Sequence, residues 1–171
     1  MRRPVIGVMG AGEPSPGCRT AARELGRLLA ERGWIVLTGG RPEGVMAAAS
    51  AGAKQVPGSL TLGILPGVSG AGPDVDVAVF TGMGEARNAI NVLTSDVIVA
   101  CGVEGPGTLS EVALALRADK IVILLQASEP ARSLFRSLPT GGRLLEAAAP
   151  VDAVRILEEK LAIPRGAPWL G

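Results

Sequence analysis

A glycine-rich turn that ends in a glutamate carries the strongest chemical signal in the sequence. The segment Gly102–Glu111 reads GVEGPGTLSE and directly follows the apolar run Val97–Cys101. Glycines and a threonine at the start of a helix present backbone N–H groups, and the helix dipole adds positive potential, so this turn can bind an anion such as phosphate. Glu111 lies one turn into the same predicted helix. The spacing of Thr108 and Glu111 also fits a capping box, which needs no ligand, so both interpretations stay open at this point.

Three further turns follow apolar runs and can contribute to the same site. The glycines of the first two turns are Gly10, Gly12, Gly39, Gly40 and Gly44. Glycines between a strand and a helix let backbone N–H groups approach an anion. A tight turn without a ligand is the more common explanation for the first turn and explains the second equally well. The third turn, Met83–Asn88, supplies Arg87 at the start of a helix. That arginine either holds a charged ligand or lies on an exposed helix surface, as most arginines do.

The residue types that are missing narrow the chemistry further. The 171-residue chain contains no histidine, which excludes Ser-His-Asp and Cys-His catalysis and histidine-ligated metals on this chain. Its two cysteines, Cys18 and Cys101, cannot form a structural zinc site alone, and we predict no metal site. The glycines after the first strand do not follow the order G-x-G-x-x-G, and Thr38 ends the second strand where a dinucleotide site needs an acidic residue. A conventional NAD site is therefore disfavoured.

Charge and hydropathy also exclude several classes of partner. The net charge is +1 and aromatic residues make up 2% of the chain, so it has neither a basic stripe nor stacking platforms for nucleic acid. The short apolar run after Arg2 and Arg3 leads directly into loop residues, which indicates a first strand and not a signal peptide. No apolar run approaches the ~18 residues of a membrane span. We therefore expect a cytoplasmic protein that binds neither nucleic acid nor membranes.

The elements that must position these residues alternate regularly along the chain. Short apolar runs without period-two alternation indicate strands covered on both faces, and amphipathic segments between them indicate helices. The predicted strands are Pro4–Met9, Trp34–Leu37, Leu60–Leu65, Val75–Phe80, Val97–Cys101, Ile121–Leu125 and Leu144–Ala147. The predicted helices span residues 18–32, 43–53, 85–95, 108–118, 130–137 and 151–162.

This alternation predicts a Rossmann-like, doubly wound α/β fold. We expect a mostly parallel sheet of about seven strands with helices on both faces. No composition shift marks a second domain, so residues 1–171 are predicted to form a single α/β domain with a loosely tied tail after residue 163. In such folds ligands bind outside the carboxyl ends of the strands, which is where the glycine turns lie.

The motifs, in this order, resemble those of the Lonely Guy (LOG) family of nucleotide phosphoribohydrolases and its molybdenum-cofactor-carrier relatives. The family motifs M-x-x-R-K and P-G-G-x-G-T-x-x-E correspond to Met83–Asn88 and Val103–Glu111. The family turn G-G-G-x-x-G-L-M corresponds to Gly39–Met46. The resemblance covers roughly residues 4–125, and the wording GEARN followed by GTLSE is similar to the cofactor-carrier branch.

The resemblance implies roles for individual residues. In the family, the motif arginine and glutamate are implicated in catalysis, which assigns Arg87 and Glu111 to chemistry. The glycine-threonine turn of the family holds the 5′-phosphate of a nucleotide. The residues that the resemblance assigns to nucleotide or phosphate binding are Gly10, Gly12, Gly39, Gly40, Gly44, Met83, Asn88, Gly105, Gly107 and Thr108.

The sequence departs from the family pattern in both motifs. Asn88 replaces the motif lysine, and one additional residue separates Met83 from Arg87. Val103 and Glu104 stand where proline and the first glycine are expected, and Glu104 adds a negative charge beside the phosphate turn.

The activity that the resemblance implies is hydrolysis of the N-glycosidic bond of a nucleoside 5′-monophosphate to free base and ribose 5-phosphate. Glu111 would stabilise an oxocarbenium-like transition state and Arg87 would hold the nucleotide, without any metal or redox cofactor. The alternative is a non-catalytic carrier of a phosphorylated ligand such as the molybdenum cofactor, and a nucleotide sensor is a third interpretation. The lysine decarboxylase label of some relatives is disfavoured because the only lysines, Lys54, Lys120 and Lys160, lie outside the motifs.

The resemblance also implies a homodimer or homotetramer. The predicted interface helices carry Ile90 and Val92 in one case and Val112, Leu114 and Leu116 in the other. Burial of one apolar helix face against a second copy is typical of such assemblies.

Overall fold

Strands that are apolar at nearly every position form a parallel sheet with helices on both faces. The computed structural model describes residues 2–161, and its seven strands all pair in parallel. The strands are β1 (Val5–Gly10), β2 (Ile35–Thr38), β3 (Thr61–Leu65), β4 (Val77–Phe80), β5 (Val97–Cys101), β6 (Ile121–Leu125) and β7 (Leu144–Ala147). The predicted doubly wound fold is confirmed, whereas the predicted loose tail after residue 163 lies outside the described residues.

Six α-helices lie in the described residues, five of them between strands and the last after β7. They are α1 (Pro16–Glu31), α2 (Gly44–Ala53), α3 (Asn88–Thr94), α4 (Pro106–Arg117), α5 (Glu129–Arg136) and α6 (Pro150–Leu161). The helix predicted over residues 85–95 begins instead as a 3₁₀ helix over Gly84–Arg87 and becomes α-helical only at Asn88. The 3₁₀ turn therefore presents Arg87 at the junction between the two helix types.

β5 shows how the sheet divides the core into two layers. Val97, Val99 and Cys101 pack in the layer that contains α1, α2 and α6. Ile98 and Ala100 pack in the layer that contains α3, α4 and α5. Because both faces are buried, the strand is apolar throughout, as expected for the centre of a parallel sheet.

The strand order places the glycine turns at one point of the sheet. The order is β4-β3-β2-β1-β5-β6-β7, so the chain builds outward from β1 in one direction and from β5 in the other. The connections after β1 and β5 consequently diverge and leave a crevice at the carboxyl ends of these two neighbouring strands. Gly10 ends β1 opposite Cys101, which ends β5.

The interface prediction needs correction at two residues. Val92 and Val112 are buried in the core layer of α3, α4 and α5, so they cannot face a second copy. The exposed leucines on α3 and α4 are Leu93, Leu109 and Leu114. Asn88, Asn91 and Val92 are buried together because positions i, i+3 and i+4 share one face of a helix, whereas Leu93 lies about 100° around the axis from Val92 and is exposed.

None of the helices between residues 2 and 161 has the length and apolar character that a membrane span needs.

Candidate functional site

A cavity of about 200 Å³ opens at the crevice between β1 and β5. Nine of the residues assigned from the sequence line it: Gly10, Gly12, Gly39, Arg87, Asn88, Gly105, Gly107, Thr108 and Glu111. They come from four different strand-to-helix connections, which the parallel sheet brings together because its strands end at the same edge.

The amino end of α4 forms one wall of this cavity. Its N-cap is Gly105, which offers no side-chain cap, and Pro106 occupies the first turn, a position where a missing N–H costs nothing. The capping box between Thr108 and Glu111 is therefore wrong, since Thr108 is the third residue of the helix and not its cap. The first-turn N–H groups of Gly107 and Thr108 are left for a ligand, and the helix dipole favours an anion there.

Glu104 stands beside the phosphate turn in the sequence, but in the structure its carboxylate lies at the start of a different helix. Its Oε2 accepts a hydrogen bond of 2.9 Å from the backbone N–H of Ser15, the N-cap residue of α1. The carboxylate therefore stabilises the start of a different helix, where its negative charge complements the helix dipole. Glu104 is not among the residues that line the cavity.

Arg87 is a buried cation in the cavity wall. Only 5% of its surface is exposed, and its Nη1 donates a 3.1 Å hydrogen bond to the carbonyl of Ile64. Its guanidinium packs so closely on Gly39 that a Cβ atom at position 39 would collide with it. Burial lowers the pKa of Arg87, while attraction to Glu111 and Glu85 opposes that shift. Its Nε has no hydrogen-bond partner within the described residues.

Glu111 is the buried carboxylate that faces this cation. It is 6% exposed, and its Oε1 accepts a 2.9 Å hydrogen bond from Nδ2 of Asn91. Burial raises the pKa of Glu111, and the hydrogen bond from Asn91 and the attraction to Arg87 only partly compensate. The carboxylate is thus oriented by one neutral donor, and its charged form is disfavoured by the surroundings.

Asn91 is a residue that sequence reasoning missed. It is fully buried and holds Glu111 in position. A signal was present, because Asn88 and Asn91 are three residues apart in a predicted helix and must lie on one face. Two amides on the buried face of an otherwise apolar helix indicate a polar site.

Within the described residues, Asn88 contains a second buried polar atom without a hydrogen-bond partner, its side-chain oxygen. Its Nδ2 donates a 3.1 Å hydrogen bond to Oγ of Ser110, which in turn donates to the carbonyl of Gly107 at 2.7 Å. Its buried Oδ1 has no partner within residues 2–161. A buried polar atom without a partner costs about 1–3 kcal/mol, and two of the residues that line this cavity, Arg87 and Asn88, each contain one.

An exposed ion pair borders the cavity. Nη2 of Arg41 lies 3.2 Å from Oε1 of Glu85, and both residues line the cavity wall. Neither was assigned to the site from the sequence. An exposed pair of this kind contributes little to stability, so Arg41 can exchange its partner for an anionic ligand at small cost.

Three of the assigned residues lie outside this cavity. Gly40 adopts φ +74° and packs against Gly63 and Leu65 behind the site, so it shapes the turn. Gly44 adopts φ +57° and lines a neighbouring cavity. Met83 is 52% exposed on the surface. These placements leave α4 and the first two glycine turns as the phosphate-sized part of the site.

Comparison with known proteins agrees with this arrangement. The model of the SLOG cluster4 family matches residues 3–154. A protein of Archaeoglobus fulgidus without an assigned function is 42% identical over 122 residues, which cover 71% of this chain and 79% of that protein.

Two solved structures are similar over nearly the whole chain. The molybdenum cofactor binding protein of the phototrophic bacterium Rippkaea orientalis is 47% identical, with a TM-score of 0.90 over 94% of this chain and 99% of that one. The molybdenum cofactor carrier protein of Chlamydomonas reinhardtii is 45% identical, with a TM-score of 0.89 over 95% and 100% of the two chains. The predicted resemblance to the LOG superfamily and its cofactor-carrier branch is confirmed.

Proposed function

This chain belongs to the SLOG cluster4 family, and on that premise we propose that it binds and carries a phosphorylated cofactor of the molybdenum-cofactor type. The similarity to a cofactor binding protein and a cofactor carrier protein supports this alternative better than the phosphoribohydrolase that the motifs first implied. Binding without turnover requires only that the site hold the ligand's phosphate and release it intact.

The observation that carries the proposal is the uncapped amino end of α4, which lines one cavity together with the buried cation Arg87. The backbone N–H groups of Gly107 and Thr108 have no partner within the helix, and Arg87 adds a positive charge to the same cavity. A phosphate monoester can accept hydrogen bonds from these groups. The cavity of about 200 Å³ accommodates a phosphate group and the atoms next to it.

Glycosidic hydrolysis is a second candidate because Arg87 and Glu111 line the same cavity. It asks more of Glu111 than binding does, since stabilising an oxocarbenium-like state needs a negative charge. Burial raises the pKa of Glu111, which disfavours that charged form. The neutral hydrogen bond from Asn91 is satisfied by a protonated or a charged carboxyl group.

The test has two arms that separate the candidates. In the first, the purified protein is mixed with molybdenum cofactor, separated from free ligand by gel filtration, and analysed for bound molybdenum. We expect close to one molybdenum per chain, and competition by excess inorganic phosphate.

In the second arm, the protein is incubated with a panel of nucleoside 5′-monophosphates and the release of free base is followed by chromatography. We expect no release above the uncatalysed background. Base release that disappears in Glu111→Gln, together with no retention of cofactor, would overturn the carrier proposal in favour of the hydrolase.

A further inference from the structure

A second and larger cavity adjoins the phosphate cavity. Its volume is about 620 Å³, and it lies between α1, α2 and the loop over residues 72–75. Gly12 and Arg41 line both cavities, so the two spaces meet at these residues. Of the residues that the sequence assigns to the site, Gly12 and Gly44 line the larger cavity.

The two cavities differ in the size of ligand that each can enclose. Pockets that bury most of a cofactor-sized molecule measure about 300–1,000 Å³. The phosphate cavity, at about 200 Å³, falls below that range, and the larger cavity, at about 620 Å³, lies within it. A ligand anchored by its phosphate in the first cavity must therefore place the rest of its atoms elsewhere, and the adjoining space is large enough.

The walls of the larger cavity carry an excess of guanidinium groups. Three arginines line it, Arg19 and Arg23 on α1 and Arg41 after β2. Only two acidic residues line it, Glu43 and Asp74. Within residues 2–161 no carboxylate lies within 4 Å of the guanidinium of Arg19 or Arg23, and Nε and Nη2 of Arg23 each donate a 3.0 Å hydrogen bond to the side-chain oxygen of Gln55. Guanidinium groups donate hydrogen bonds in one plane and stack on flat rings, which suits a polar heterocycle.

Small side chains on α2 create the space. Ala47, Ser50 and Ala51 form part of the floor, and no long side chain of α2 fills the volume above them. The opposite wall is fixed, because the backbone N–H of Gly72 donates a 2.8 Å hydrogen bond to the carbonyl of Gly40. The cavity is consequently built from packed elements on each side.

The floor is rigid because α1 and α2 touch backbone to backbone. A Cβ atom at Gly26 would collide with the carbonyl oxygen of Ala49, and one at Gly52 with that of Arg23. This close approach fixes the position of Arg23 relative to the floor and leaves little room for α2 to move when a ligand binds.

We propose that the larger cavity binds the planar ring system of the same ligand whose phosphate is held at α4, with Arg41 between the two parts. The proposal rests on the carrier function proposed above. The ligand class is a phosphorylated flat heterocycle, and the pterin of a molybdenum cofactor and the purine of a nucleotide are the two chemistries that share this description.

A larger side chain on the floor of the larger cavity should weaken binding of the ring system without weakening binding of phosphate. We expect Ala47→Leu to weaken binding of the molybdenum cofactor at least tenfold while leaving the affinity for inorganic phosphate within twofold of wild type. Arg23→Gln, which removes a surface cation without adding volume, should weaken cofactor binding several-fold. Ala113→Leu, on an exposed part of α4 that lines neither cavity, serves as the matched control.

The outcomes distinguish failure of this inference from failure of the proposed function. If the wild type retains neither cofactor nor phosphate, the carrier function fails and the ring subsite falls with it. If the wild type retains cofactor and both Ala47→Leu and Arg23→Gln bind it as tightly as Ala113→Leu, only the ring subsite is overturned. Tighter binding of guanosine 5′-monophosphate than of the cofactor, with the same sensitivity to Ala47→Leu, supports the subsite and identifies a purine as its occupant.

Discussion

The glycines that the motifs assign to ligand binding include two groups that the sequence does not distinguish. At Gly10, Gly39 and Gly44 an added Cβ atom would collide with neighbouring atoms of the protein. At Gly105 and Gly107 an added Cβ atom would meet nothing within 4 Å. The first group is required by the packing of the turns after β1 and β2, whereas the second group borders empty space.

The difference indicates what each group of glycines is for. Gly44 is glycine because α2 starts against the carbonyls of Ala11 and Gly12 with φ +57°, a conformation that other residues rarely adopt. Folding does not demand glycine at Gly107, inside the first turn of α4. We propose that close approach of a ligand to the backbone N–H groups accounts for the glycine there. On this proposal the packed turns build the site, and the uncrowded turn receives the ligand.

The largest expected effect is on stability and comes from substituting a glycine of the packed group. Gly44→Ala places a Cβ atom against two carbonyl oxygens and forces a left-handed conformation, so we expect a loss of about 2–5 kcal/mol in the free energy of unfolding. Urea denaturation followed by circular dichroism measures this loss. A variant as stable as wild type would show that the turn after β2 relaxes easily and that the two groups do not differ.

For the uncrowded group, Gly105 and Gly107, we expect the opposite pattern: a small effect on stability and a large effect on ligand binding. Gly107→Val should change stability by no more than about 0.5 kcal/mol, because the position is open and lies in a helix. Its side chain should block the N–H groups of α4 and weaken phosphate and cofactor binding at least tenfold, about 1.4 kcal/mol. Titration of the folded variant with either ligand measures the effect.

Gly17→Val supplies the control for Gly107→Val. Gly17 holds the corresponding second position of α1, follows a proline in the same way, and also has nothing within 4 Å of an added Cβ atom. It lines neither cavity, so its valine variant should bind both ligands as wild type does. Equal losses in the two variants would contradict a ligand site at α4.

A smaller effect is expected at the neighbouring hydroxyl. Thr108 is buried in the cavity wall but is not the helix cap, so Thr108→Val should avoid the cap penalty of ~1 kcal/mol and leave stability nearly unchanged. Loss of one hydrogen bond to the ligand should weaken cofactor binding about fivefold, or ~1 kcal/mol. Calorimetric titration checks the affinity, and an unchanged value would remove Thr108 from the ligand site.

The smallest effect concerns stability and depends on pH. Because the pKa of Glu111 is raised, the folded protein holds a proton more tightly than the unfolded chain, and stability falls as pH rises through and above the ordinary carboxyl range. Glu111→Gln keeps an acceptor for Asn91 and cannot ionise. Its Tm should equal that of wild type in acid and exceed it at neutral pH.

Glu146 is a carboxylate whose pKa is shifted in the opposite direction to that of Glu111. A hydrogen bond from Arg136 lowers the pKa of Glu146, so its charged form stabilises the fold above the ordinary carboxyl pKa and that contribution is lost as pH falls. Glu146→Gln should therefore have a lower Tm than wild type at neutral pH. A lower neutral-pH Tm for Glu111→Gln as well would show that Glu111 is stabilised as a carboxylate.

The fold could be predicted because its signals are local. β5, β6 and β7 have the predicted bounds, since β5 and β6 are apolar throughout and β7 is apolar at three of its four positions. The α4 cap could not be read correctly, because Thr108 and Glu111 have the capping-box spacing whichever residue starts the helix. Pro106, which favours the first turn of a helix, was the better boundary signal.

The composition of the site was only partly visible in the sequence. The glycines, Arg87 and Glu111 stand in motifs, so their convergence followed from the parallel sheet. Asn91 stands outside the motifs, and the floor at Ala47 looks like any alanine-rich helix. Their roles depend on which helix faces pack together, and periodicity alone does not fix that pairing.

The most direct test of the division between the two glycine groups is a crystal structure of the protein with molybdenum cofactor bound. We expect the phosphate within hydrogen-bond distance, about 2.7–3.2 Å, of the backbone nitrogens of Gly107 and Thr108, with the turns at Gly10 and Gly39 unmoved. A phosphate bound elsewhere, with the amino end of α4 left to solvent, would contradict it.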